Sequence, residues 1–128
     1  EVLTIPVADY IDLPSNRIIT NDKTIQERPE LAQALVSAFM LGLRDTLNDP
    51  DAAFEATLAA EPEVGGAQAE ISRAIFDESL KLWQADEEAL GLSELAAWEK
   101  AAAFMLEMKL IQTPVLATEL YTNEFVAR

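Results

Sequence analysis

The side chains able to do chemistry in this chain are of few kinds. Its 128 residues include no cysteine and no histidine. Thiolate nucleophiles, disulfides, thiolate metal sites and imidazole bases are therefore excluded. Carboxylates are plentiful, with 23 Asp and Glu against 9 Lys and Arg. They cluster at Asp77-Glu78 and Asp86-Glu87-Glu88, but neither cluster has the Asp, Asn and Gly offsets of a calcium loop. Both read as solvated acidic faces. Serine and lysine are present without a nucleophile elbow or a phosphate-binding loop, so enzymatic chemistry has little support. Trp83 and Trp98 have the flat faces to stack on a ligand, yet their helical spacing among aliphatic residues favours core packing. The best candidate is the run from Asp9 to Asn16. It carries Tyr10, several hydrogen-bonding groups and a strand-end position of the kind that α/β proteins use for ligands. An ordinary polar loop is the competing reading.

The elements that would position this run are uneven. Val2, Leu3, Ile5 and Val7 are strand formers, and Arg17-Ile18-Ile19-Thr20 is a second β-prone run. Two strands cannot bury an apolar face unaided, so this pair needs a sheet that the rest of the chain does not supply. From Asn21 the pattern is helical. Asp22 is expected to cap a short turn that stops before Pro29. Pro29 opens a helix striped by Leu31, Leu35, Phe39, Leu43 and Leu47 and widened by Val36 and Met40. Gly42 lies inside it, at a cost of about 1 kcal/mol relative to Ala, which usually signals close backbone packing. Asp49 and Pro50 suit the cap and first position of a second helix, about 51–60, with Phe54 and Leu58. Glu61-Pro62 and Gly65-Gly66 break the chain. A third helix is expected over 67–84. A fourth, over 94–108, is expected to have Ser93 as cap and Leu95, Trp98, Ala102, Met105 and Leu106 inward. Residues 111–128 read as a loop and a short terminal turn.

Composition narrows the partners. Half the residues are hydrophobic, so a chain of this length can bury a core. A net charge of −14 argues against nucleic acid and anionic membrane surfaces. No segment has the pattern of a signal peptide, and no apolar run approaches the ~20 residues of a membrane span. The first residue is Glu1, which reads as an internal start, of a processed chain or an excised piece.

The order of several motifs resembles a family. Asp9-Tyr10-Ile11-Asp12-Leu13-Pro14-Ser15-Asn16 is followed by Ile18-Ile19-Thr20-Asn21-Asp22-Lys23-Thr24-Ile25 and Arg28-Pro29-Glu30-Leu31. An alanine-rich helix with Ala38 and Gly42 comes next, then Asp49-Pro50-Asp51-Ala52-Ala53, Trp98, Leu110-Ile111 and Thr122-Asn123-Glu124-Phe125-Val126. Together they resemble substrate-binding proteins of ABC importers, in the group for thiamine-pyrimidine precursors and riboflavin. Lys109 departs from the pattern, because glycine is usual after the fourth helix and suits a left-handed cap.

The resemblance implies a periplasmic-binding-protein fold of two α/β lobes with the ligand between them, more than twice as long as this chain. The chain would be a C-terminal fragment of it, mainly α with a short N-terminal β segment. Residues 1–20 would supply crossover or hinge strands and a cleft loop, and residues 21–128 the helical C-terminal part of the first lobe. Asp9, Tyr10, Asp12, Ser15 and Asn16 would be the ligand-binding or hinge positions, without catalytic residues, metal or cofactor. The partners implied are a small heteroaromatic ligand in the intact protein and a membrane permease. The location implied is extracytoplasmic, periplasmic or lipid-anchored. Two readings compete: an autonomous acidic helical interaction module, and an enzyme of pyrimidine synthesis sharing the fold. With half of a sheet absent, the chain is expected to expose apolar helix faces and an edge strand, and to self-associate through residues 1–20.

Overall fold

The computed structural model of the chain describes residues 3, 5, 13, 14, 16–86 and 88–126. Its elements follow from caps and breakers. Asn21, not Asp22, opens α1 (Asp22–Glu27), its side-chain oxygen accepting from the Thr24 N–H at 2.9 Å. Asn21 has the extended backbone of a cap, whereas Asp22 is already helical and serves as the acidic residue of the first turn. α2 spans Pro29–Asn48 and α3 Pro50–Ala60. Between them Asp49 accepts from the Ala52 N–H at 3.0 Å, with Pro50 at the first helical position as the sequence suggests.

α3 ends where Glu61 donates its N–H to the Thr57 carbonyl at 2.8 Å. Two short 3-10 turns, Pro62–Val64 and Gly66–Gln68, follow. Gly66 takes a positive φ of 62°, open to glycine at no steric cost. α4 then runs Ala69–Trp83, a little shorter than the expected span because its first residues form the 3-10 turn. α5 covers Leu95–Glu107, and a last 3-10 turn covers Ala117–Glu119.

No strand occurs among the described residues. The β-prone run Arg17–Thr20 is irregular and exposed. Its β-branched residues favour a strand only where a neighbouring edge offers partners, and none does among the described residues. Of the first β-prone run, Leu3 and Ile5 are described, as irregular and exposed; Val2 and Val7 lie outside the described residues.

The chain divides into two compact units, one of Glu1–Ala32 with Leu92–Ala127 and one of Gln33–Gly91. In the second unit, Phe54 of α3 is buried and lies 5.5 Å from Phe76 of α4, ring centre to ring centre. Phe76 in turn meets the edge of Trp83 at 6.5 Å and 80°. Arg73 covers both phenylalanines, its guanidinium 5.3 Å from the Phe54 ring and 5.8 Å from Phe76. The same guanidinium pairs with Asp51 at 2.7 Å and Asp77 at 2.8 Å.

In the first unit, residues 117–125 fold back on α5. Ala117 and Phe125 are buried, and Trp98 of α5 stacks on Tyr121 at 5.8 Å and 5°. Both tryptophans thus pack against aromatic neighbours within their own units, as their spacing suggests.

The apolar stripe of α2 and the expected inward set of α5 are only partly buried. In α2 the buried residues are Ala32 and Met40, while Leu31, Leu35 and Phe39 of the expected stripe are exposed. In α5, Leu95, Met105 and Leu106 are exposed, and only Trp98 and Ala102 of the expected set are half-buried. Helical periodicity marks an apolar face but does not say whether anything covers it. Exposed apolar helix faces are thus present among the described residues. Gly42 has no close neighbour: a Cβ placed there meets nothing within 4 Å.

Candidate functional site

Of the five residues assigned to ligand binding or the hinge, Asp9, Tyr10, Asp12 and Ser15 lie outside the described residues. Asn16 is an exposed bend, and its backbone carbonyl accepts from Arg17 Nη1 at 2.9 Å. Its side-chain amide, with two donors and an acceptor, is the functional group it offers a ligand.

The best-built polar junction among the described residues lies elsewhere, in the first unit. Asn123 bonds the backbone of Ser93 twice, 30 positions away in sequence. Its Oδ1 accepts from the Ser93 N–H at 2.9 Å, and its Nδ2 donates to the Ser93 carbonyl at 2.9 Å. A side-chain amide that matches both groups of one residue mimics a strand partner and is specific for Asn at this reach. Ser93 therefore does not cap α5 with its side chain. The residue before the helix is Glu94, without a capping bond, and the backbone of Ser93 is committed to Asn123. Beside this clamp stands the Trp98–Tyr121 stack, whose indole N–H is buried without a hydrogen-bond partner among the described residues. The sequence pointed to Asn123 only as part of a motif, and to Trp98 also as a core residue of the fourth helix. Pairing across 30 positions has no local signature.

The C-terminal end of α5 explains the departure at Lys109. Leu110 N–H donates to the Met105 carbonyl at 2.9 Å, and Lys109 N–H to the Leu106 carbonyl at 3.0 Å. These are the two bonds of a Schellman cap, and Lys109 takes the left-handed position with φ 57°. The backbone here takes a conformation that suits glycine although the residue is lysine.

Elsewhere the chemistry is sparse. Arg73, held above its ordinary pKa by hydrogen bonds to Asp51 and then Asp77, is fully engaged between them. Among the described residues no group of three or more acidic side chains could hold a metal ion. An open apolar groove runs along α4, floored by Ile71, Ala74, Ile75 and Leu82 with Glu70 and Glu78 beside them. It has apolar surface but few polar groups to orient a small ligand. No helix, among the described residues, is long and apolar enough to cross a membrane.

Residues 1–53 match the family described as NMT1/THI5 like. The riboflavin-binding protein RibY of Chloroflexus aurantiacus is 35% identical over 129 residues, which cover 98% of this chain and 37% of RibY. The chain thus spans little more than a third of that relative's length. No solved structure matches it. These matches support kinship with the NMT1/THI5-like group of substrate-binding proteins.

Proposed function

We propose, from these similarities, that the chain is part of the solute-binding component of an ABC importer. The intact protein would bind a small heteroaromatic vitamin or precursor, riboflavin or a thiamine pyrimidine, and hand it to a membrane permease outside the cytoplasm. The observation that carries this reading is the 35% identity to a riboflavin-binding protein, running over 98% of the chain. Binding and lobe closure are the mechanism, without covalent chemistry.

Residues 1–20 are assigned to the hinge and cleft, and residues 21–128 to the helical part of one lobe. Within the first segment, Tyr10 would stack on the ligand ring. Asp9 and Asp12 would accept from ring N–H groups or ribityl hydroxyls, and Ser15 and Asn16 would complete the polar set. The match of residues 1–53 to the family supports placing these roles there.

A second reading, an acidic helical interaction module, is favoured by the exposed Leu35 and Phe39 of α2 and Ile71 and Ile75 of α4. Calorimetric titration of riboflavin and a thiamine pyrimidine separates the two. It is done on the chain alone and on a chimera in which the chain replaces the stretch of RibY that it matches. The importer reading predicts one ligand per chimera. A folded chimera that takes up neither compound leaves the interaction module as the better reading.

A further inference from the structure

Arg17 follows Asn16 directly in the segment assigned above to the hinge and cleft, and it is an exposed cation. No Asp or Glu occurs from Leu13 to Asn21, in a chain of net charge −14. Lys23, Arg73 and Lys81 each pair with a carboxylate, whereas Arg17 pairs with none among the described residues. Arg17 is nonetheless anchored. Its Nη1 donates to the Asn16 carbonyl at 2.9 Å, which holds one end of the guanidinium. The edge formed by Nε–H and Nη2–H makes no hydrogen bond among the described residues. That edge is the planar fork that matches a pair of oxygens on one phosphate. Ile18 and Ile19 come next in the chain and are both exposed, so apolar side chains follow the cation directly.

We infer that Arg17 is a specificity-determining residue that reads a phosphate ester on the ligand. The ligand class is then a phosphorylated heteroaromatic compound rather than its neutral parent. The inference rests on the binding-protein reading above and extends it. Asp9, Tyr10, Asp12, Ser15 and Asn16 offer acceptors, an amide and a ring, but no cation. Such a set serves neutral hydrogen-bonding groups and would repel a phosphate through its two carboxylates. A guanidinium beside it neutralises the anion and bonds its oxygens in a fixed geometry. A purely structural arginine looks different in this chain: Arg73 is spent on Asp51 and Asp77, with no free charge left to offer. Phosphate is favoured over a carboxylate because the ribityl hydroxyls of the proposed ligand can carry a phosphate ester.

The test compares riboflavin with riboflavin phosphate, probes that differ by a single phosphate group, in calorimetric titrations of the RibY chimera. The phosphate ester should bind about tenfold more tightly than riboflavin, or better. The preference should shrink as added salt screens the exposed guanidinium. Arg17→Gln should abolish the preference, so that the two probes bind alike. Arg17→Lys should keep part of it, because the charge remains while the fork is lost. Inorganic phosphate at the concentration of the ester should not displace it. Equal affinity of the parent chimera for both probes overturns the inference and leaves the ligand reading standing. So does a preference that survives Arg17→Gln, or one indifferent to salt. Displacement of the ester by inorganic phosphate overturns it too, since the anion would then be read without the ring. A folded chimera that binds neither probe removes the ligand reading and this inference with it.

Discussion

Lys109 sits in the left-handed region with φ 57°, where a Cβ crowds the backbone. The Schellman bonds to Met105 and Leu106 require that conformation whatever the side chain. Lys109→Gly should therefore stabilise the chain by about 1 kcal/mol, the usual difference for a residue held left-handed. Urea unfolding checks this: the midpoint should rise with an unchanged slope, and a fall would mean that the lysine makes a compensating contact. Asn123 is the opposite case, a side chain whose removal strands partners. Asn123→Ala leaves the Ser93 N–H and carbonyl without their bonds in a part-buried setting. A loss of about 1–3 kcal/mol is expected, together with a change in Trp98 fluorescence as the terminal segment loosens from α5. Retention of both stability and emission would show that water replaces the amide freely. The first residue was visible in the sequence as a departure from a pattern. The second was not, because nothing local distinguishes an Asn that bonds 30 positions away.

At the scale of elements, the sequence was most informative where stereochemistry is local. Asp49-Pro50 starts a helix because a side-chain acceptor and a preset φ act within one turn, and the structure has both. It was least informative where burial decides. Leu31, Leu35 and Phe39 have the period of a core face but are exposed, while Ala32 and Met40 are buried. Arg17–Thr20 has β-prone residues but no strand, because pairing is a property of two segments. The α3–α4 junction is the clearest tertiary contact of the second unit. Phe54 is its buried centre, met by Phe76 and covered by Arg73. Phe54→Ala should cost about 3 kcal/mol, the low end for a phenylalanine, since the unit is small and its exposed neighbours can relax. Thermal unfolding followed by circular dichroism reads this directly. A shift no larger than that of an exposed alanine variant would mean that the two helices do not depend on the contact.

At the scale of the molecule, the group was legible before the fold was. The ordered motifs from Asp9 to Val126 resemble substrate-binding proteins, and the matches to the NMT1/THI5-like family and to RibY agree. The candidate site was legible only as a location. The hydrogen-bonding residues around Tyr10 carry the proposed ligand role, and of them only Asn16 is among the described residues. The exposed faces of α2 and α4 are of the kind that amphipathic helices bury against other layers. The most direct test of the binding role is a riboflavin titration of the RibY chimera, with and without Tyr10→Ala and Asn16→Ala in this chain. The expected result is saturable binding of one riboflavin, weakened at least tenfold in the double variant. Absence of binding by the folded chimera, or binding indifferent to both substitutions, would contradict the role assigned to these residues.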